Sequence, residues 1–190
     1  MNRLFIGLPV DHTITEKLNP VLVKLASYKD TVKTVSSVHM HITMKFLGNA
    51  DSETTSKILQ ILPETLRQHP PVSYDAVGLG AFPSTQNAAV LWCGIKTDTS
   101  ALLSLHGDIE KAMERLGFER DTRTFSPHIT VARIRKGRKL PPTILQYFQK
   151  SSMTHFGSSL FDKITLFKSD LTPEGPHYTE LLTIRLEEKR

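Results

Sequence analysis

The word His-Ile-Thr occurs twice in this chain, at His41-Ile-Thr-Met44 and at His128-Ile-Thr-Val131, and constrains the fold more than any other stretch. Both copies lie in runs rich in Ile, Thr, Val and Phe, with polar and apolar residues alternating as in a β-strand. Side chains two apart on a strand share a face. His41 and Thr43 therefore point one way while Ile42 and Met44 point the other, and His128 and Thr130 repeat this against Ile129 and Val131. With the two strands side by side, two imidazoles and two hydroxyls line one groove. The bare pattern His-x-Thr says little: 8 His and 20 Thr in 190 residues give about 0.8 such pairs by chance. The fuller word is rarer, with a chance of recurring of roughly 5%.

Residues 3–8 read as a first strand. Thr13 and Glu16 fit a capping box for a helix to about Ser27, with Ile14, Leu18, Leu22 and Leu25 on one face and Pro20 kinking or dividing it. Residues 32–35 form a short strand, and the first motif strand ends at the turn signal Gly48-Asn49. Asp51 or Ser52 caps a helix carrying Ile58, Leu62 and Leu66, with Pro63 inside it. Strands at 72–79 and 88–95 flank a loop containing Pro83 and Asn87. A helix from Ser100 presents Leu102, Leu105, Ile109, Ala112, Met113 and Leu116 and stops at Gly117. Pro127 opens the second motif strand. Pro141-Pro142 starts a short helix to Lys150, and strands at 154–160, 163–170 and 178–186 follow, with Pro173, Gly175 and Pro176 making the last turn. Interspersed helices and hairpin-like strand pairs predict an α+β fold with mainly antiparallel sheet. The order strand, helix, motif strand, helix, strands occurs once in each half, a weak internal duplication.

At 190 residues the chain reads as one domain spanning 1–190. Its lone cysteine, Cys93, sits in the apolar run Ala88-Ala-Val-Leu-Trp-Cys-Gly-Ile95 and reads as a buried small hydrophobe, which points to a reducing compartment, the cytoplasm. That run is too short to cross a bilayer. Arg3-Leu-Phe-Ile-Gly-Leu-Pro9 imitates a signal peptide but lacks a small-x-small site and runs into Asp11, so it is read as a strand. The net charge of +5 favours an anionic partner. Arg133, Arg135, Lys136, Arg138 and Lys139 cluster directly after the second motif, where they fit phosphate or RNA-backbone contact better than a merely solvated loop.

His41-Ile-Thr-Met-Lys-Phe-Leu-Gly48 followed by Phe125-Ser-Pro-His128-Ile-Thr-Val-Ala-Arg133 resembles the RNA 2',3'-cyclic phosphodiesterases, or 2'-5' RNA ligase family, of the two-histidine phosphoesterase superfamily. Arg3-Leu-Phe-Ile-Gly-Leu-Pro9 looks like that family's first strand. Gly78-Leu-Gly-Ala-Phe-Pro83 with Val90-Leu-Trp92 looks like its middle hairpin, and Ser169 and Gly175-Pro176 with Tyr178 like its C-terminal signature. The resemblance implies two similar lobes with mainly antiparallel sheets flanking a central cleft, helices outside. It also implies hydrolysis of a 2',3'-cyclic phosphate at an RNA 3' end to a 2'-phosphomonoester, with 2'-5' ligation as the related reverse reaction. His41 takes the role of proton donor and His128 of proton acceptor; Thr43 and Thr130 take that of phosphate donors, and Arg133 matches a phosphate-contacting arginine.

The residues permit this chemistry on their own terms. An unperturbed imidazole titrates near ~6.5, so one of a pair can be neutral and the other cationic at neutral pH. The neutral ring deprotonates water and the cationic ring protonates the leaving oxygen, each transfer worth ~10²–10⁴-fold without a metal. Thr43 and Thr130 can donate to the non-bridging oxygens. Arg133 lies three steps past Thr130, so a regular strand puts it on the opposite face; it reaches the cleft only if the strand ends or bulges. Lys45 shares the His41 face and reads as a phosphate contact or a lysine at the strand end.

No cofactor is expected. His39-x-His41 has metal-ligand spacing but no evident third ligand, so no metal is assigned. His12, His69, His106, His155 and His177 read as surface or loop residues. Phe46, Phe82, Phe125 and Trp92 read as core; of these, Phe46 or Phe125 is the better placed to stack a base. The expected partner is RNA or an oligonucleotide ending in a 2',3'-cyclic phosphate, with no membrane and no obligate protein partner. The rival reading is a non-catalytic RNA-binding module whose basic cleft holds phosphate. A second rival, a metal-dependent phosphodiesterase, would not survive chelation.

Overall fold

A computed structural model describes residues 1–67, 69–172 and 175–187, and of Thr99 and Gly175 the backbone only. Nine strands and four helices occur among these: β1 (Asn2–Pro9), α1 (His12–Ala26), β2 (Val32–Thr34), a 3₁₀ turn (Ser37–His39), β3 (His41–Ala50), α2 (Ser52–Leu66), β4 (Val72–Phe82), β5 (Val90–Thr97), α3 (Thr99–Glu114), β6 (His128–Ile134), α4 (Pro142–Lys150), β7 (His155–Phe161), β8 (Lys163–Thr172) and β9 (Gly175–Arg185). They form two sheets, β3-β1-β8-β9 and β2-β6-β5-β4-β7, and every strand pair is antiparallel. The expected α+β, two-lobed architecture is the one observed.

The duplication is clearer in space than in sequence. β1 feeds α1, which packs on the other sheet, before the chain returns as β3 to pair with β1. Likewise β5 feeds α3, which packs on the first sheet against β3, before β6 returns to pair with β5. Each lobe is thus covered partly by a helix whose preceding strand lies in the other. On one side Ile58, Leu62 and Leu66 of α2 and Leu102, Leu105, Ile109 and Met113 of α3 are buried with Leu4, Ile6, Leu8, Ile42 and Met44. On the other, Ile14, Leu18, Val21 and Leu25 of α1 and Ile144 and Phe148 of α4 are buried with Leu91, Cys93, Ile129 and Val131. Each such side chain contributes about 1.5–3 kcal/mol of burial. The opposite faces of β3 and β6, which carry the motif residues, flank the cleft between the lobes.

Several local readings change. Asp11, not Thr13, caps α1, accepting from the Thr13 backbone N–H. The helix runs through Pro20 undivided, and Val21 takes the fully buried place expected of Leu22, which is half-buried. β3 does not stop at Gly48: it continues to Ala50, with Gly48 at φ +69° beside a register shift opposite Leu4 and Phe5, so the glycine serves a bulge. Asp51 caps α2 by accepting from the Thr54 N–H. α3 ends at Glu114 with Arg115 at its C-cap, short of the expected stop, and Gly117 lies at φ +87° in the turn that follows, where the Phe118 N–H donates to the Met113 carbonyl. Pro127 precedes β6 rather than opening it. β9 starts at Gly175, so Gly175 and Pro176 pair with Thr172 and Leu171 in a ladder; Pro173 of the expected turn lies outside the described residues. No helix among the described residues is long and apolar enough to cross a membrane.

Candidate active site

His41 and His128 are each the first residue of their motif strand, and the backbone holds both rings in the same way. The 3₁₀ turn before β3 directs the His39 carbonyl back to His41 Nδ1 at 2.7 Å. The Ser126 carbonyl meets His128 Nδ1 at the same 2.7 Å. A carbonyl only accepts, so in both rings Nδ1 carries the proton and donates it, leaving Nε2 of the neutral imidazole as the free acceptor.

Both strands then bulge at the same place. Gly7 pairs with Thr43 but Ile6 pairs with Lys45, leaving Met44 as the extra residue. Trp92 pairs with Thr130 but Leu91 pairs with Ala132, leaving Val131 extra. A bulge shifts the alternation by one, and burial follows: Met44 and Lys45 are both buried, as are Val131 and Ala132. The next side chains to return to the cleft face are Phe46 and Arg133, five residues past each histidine. This is the condition that Arg133 required. It is exposed, and its charge bears on His41, His128 and Tyr178 alike.

The same bulge overturns the reading of Lys45. The residue is 5% exposed and faces away from the cleft. Its Nζ donates to both Glu110 carboxylate oxygens, at 2.9 and 2.7 Å, and to the Glu119 carbonyl at 2.8 Å. Glu110 also accepts the Asp121 N–H at 3.3 Å. His106 lies beside this pair, with its ring stacked on Phe125 at 4.1 Å. His106 and His69 are therefore not simple surface histidines: His69 is 8% exposed and its Nε2 lies 3.2 Å from Asp108. Phe125 is thereby occupied, whereas Phe46 is 64% exposed on the cleft face rather than in the core.

His41 sits among aromatic rings, with centroids at 4.7 Å from Phe5, 5.4 Å from Tyr178 and 5.9 Å from Phe167. Burial is the main cause that pushes its pKa down to about 4; the His39 carbonyl opposes this, and the charges of Arg133, His39 and His128 add to it. His128 meets Phe82 edge-on at 4.9 Å, and burial, with Arg133, lowers its pKa too. Gly7 leaves the room that His41 needs: a Cβ there would lie 3.2 Å from the Ile42 carbonyl and 3.4 Å from His41 Cδ2. Thr43 and Thr130 are half-buried beside the two rings, and no hydroxyl partner occurs for either among the described residues. Cys93 is buried and its thiol is pushed up to about 12. Among the described residues no three His, Cys, Asp or Glu side chains converge as a metal-binding set.

Sequence reasoning missed the aromatic wall of Phe5, Phe167 and Tyr178, because nothing in the chain order announces that β8 and β9 lie beside β1. It also missed the carbonyls of His39 and Ser126, which carry no side-chain signal.

A family model described as the 2'-5' RNA ligase superfamily matches residues 18–173. An Archaeoglobus fulgidus protein named RNA 2',3'-cyclic phosphodiesterase is 34% identical over 179 residues, 94% of this chain and 97% of that protein. One of the same name from Methanothermobacter thermautotrophicus is 27% identical over 97% of this chain and 98% of its own length. The fold is similar to that of TT0787 of Thermus thermophilus, with a TM-score of 0.82 at 24% identity over 99% of this chain and 100% of that one. It is also similar to E. coli LigT complexed with 3'-AMP, with a TM-score of 0.76 at 21% identity, covering 97% and 98%.

Proposed function

The chain belongs to the 2'-5' RNA ligase superfamily, and from that premise we propose that it hydrolyses RNA 2',3'-cyclic phosphate ends to 2'-phosphomonoesters with His41 and His128 as an acid–base pair and no metal. Water attacks phosphorus as His128 Nε2 takes its proton. The bond from phosphorus to O3' breaks as His41 delivers a proton to O3', leaving a 3'-hydroxyl and a 2'-phosphate. Thr43 and Thr130 donate to the non-bridging oxygens, and Arg133 adds a charged donor. With a 5'-hydroxyl in the place of water, the same displacement forms a bond from O5' to phosphorus as the bond to O3' breaks, and joins RNA ends through a 2'-5' linkage. A cytoplasmic location goes with this reading.

One observation carries it: two histidines, in strands that bulge alike, each have Nδ1 tied to a carbonyl and share the influence of one arginine. A module that only holds phosphate has no need of two bare Nε2 atoms. The whole-chain likeness to relatives named RNA 2',3'-cyclic phosphodiesterase points the same way.

In the free protein both histidines titrate below their ordinary value, so the singly protonated pair becomes scarce as pH rises above ~6.5. Bound phosphate offsets the repulsion from Arg133 and makes His41 easier to charge. The expected kcat/KM for a cyclic-phosphate dinucleotide is bell-shaped, peaks on the acid side of ~6.5 and falls by about tenfold per pH unit well above it, while kcat holds to higher pH. Turnover is expected to survive prolonged chelation and to yield the 2'-phosphate. A profile flat from mildly acid to alkaline pH, or activity lost with the chelator and restored by metal, contradicts the proposal.

Phe46 stands on the cleft face at the position that Arg133 occupies in the other lobe. It is the available platform for the terminal base. Stacking is worth ~1–3 kcal/mol per base, so Phe46→Ala raises KM roughly 5- to 150-fold at nearly constant kcat. An unchanged KM removes Phe46 from the site.

A further inference from the structure

The positive charge of this chain is concentrated. Residues 31–50 and 122–161 hold nine Lys and Arg and no Asp or Glu, whereas the other 130 residues hold 15 and 19. These two segments build both motif strands and the outer edge of the second sheet. There Lys33 of β2 pairs in register with Arg133 of β6. Just beyond, the Arg135 N–H donates to the Thr31 carbonyl and its Nε to the Lys29 carbonyl, each at 2.8 Å. The Arg138 N–H closes a turn onto the Arg135 carbonyl at 2.9 Å, with Gly137 in the left-handed region at φ +75°. Lys29, Lys33, Arg133, Arg135, Lys136, Arg138 and Lys139 are all exposed on this edge, and Asp30 is the carboxylate nearest them in the chain. None of the seven forms an ion pair among the described residues, although Lys45, Lys57, Lys111, Arg120, Arg123 and Lys168 all do.

One arginine beside two histidines suits one phosphate. Six further cations leading away from it have no part in cleaving a dinucleotide, and leaving them unpaired and crowded is unfavourable unless an anion covers them. We infer that this edge is a track for the backbone phosphates of an RNA strand several nucleotides long, with Arg133 where the track enters the cleft. The track then sets a preference for length: an RNA of several nucleotides lies along the edge, whereas a dinucleotide reaches only Arg133. The inference rests on the proposed hydrolysis for its chemistry and on the charge distribution for its geometry.

The test compares a ten-nucleotide RNA and a dinucleotide, both ending in a 2',3'-cyclic phosphate, on the full chain and on K136Q/R138Q/K139Q. Arg135 stays because its guanidinium braces the Lys29 carbonyl. Wild type is expected to prefer the longer RNA by about tenfold or more at low salt. The variant loses most of that preference while its dinucleotide kcat/KM stays within about twofold, which also reports that it folds. Taking one cation away from a phosphate flattens the slope of log affinity against log salt by ~0.7 for a single strand, so the slope becomes shallower by about 2. Binding of the same ten-nucleotide RNA ending in a 2'-phosphate gives that slope without turnover. A wild type indifferent to length, or a variant that loses both substrates equally, overturns the track. A wild type that turns over neither RNA overturns the hydrolysis instead, and the binding slope then judges the track alone.

Discussion

His128→Ala is expected to lower kcat on a cyclic-phosphate dinucleotide by ~10²–10⁴-fold, and His41→Ala by a similar factor. Each ring's Nδ1 closes only a local loop with a carbonyl two residues back, and the ring contacts given up, with Phe5, Tyr178 and Phe167 for His41 and with Phe82 for His128, lower stability without unfolding the chain. KM should change little, since Thr43, Thr130 and Arg133 remain to hold the phosphate. The double variant is expected to lose far less than the product of the two factors. Once either proton transfer is gone the other no longer limits the displacement in the same way, and residual turnover comes from phosphate binding alone. Single-turnover assays with a thermal melt on each variant check this. Equal melting temperatures with undiminished turnover in either single variant would exclude that histidine. No turnover in the wild type at all would favour the non-catalytic module instead.

How far the site could be read from the chain depends on which interactions are local. The face shared by His41 and Thr43, and by His128 and Thr130, follows from a two-residue period that persists up to the bulge. Arg133 and Lys45 lie beyond it, so the period failed for both, in opposite senses. A regular strand sends Arg133 away from the cleft and Lys45 into it; one extra residue at Val131 and at Met44 exchanges the outcomes. Nothing in Met44 or Val131 announces a bulge, because each is an ordinary apolar strand residue. The antiparallel α+β class was legible from hairpin-like spacing. The exchange of α1 and α3 between sheets was not, since which sheet a helix covers is decided by pairings dozens of residues away. Gly48 shows the same limit on a small scale: a glycine marks a left-handed backbone whether the chain turns or merely bulges.

The second large effect concerns stability. Lys45 and Glu110 are nearly inaccessible, bonded to each other at 2.7 Å, and their contacts reach the Glu119 carbonyl and the Asp121 N–H. That backbone leads to Ser126 and His128, so the pair fastens the strand of one histidine to the approach of the other. Removing one partner strands a buried charge, which typically costs ~3–5 kcal/mol. Lys45→Met should therefore lower the denaturation midpoint sharply, with Tm falling on the order of 10 °C, and Glu110→Gln should do nearly the same. Lys45→Met with Glu110→Leu removes both charges and should recover most of the stability, because a buried pair and a well-packed apolar replacement are often close in energy. The recovered protein still lacks the bonds that hold residues 119–121, so its kcat should stay below wild type while its melting temperature returns. Denaturant titration and steady-state turnover on the four proteins separate the two roles. A double variant no more stable than the singles would mean that the site needs its packing rather than charge balance. One restored in both stability and kcat would mean that the pair does not position His128 at all.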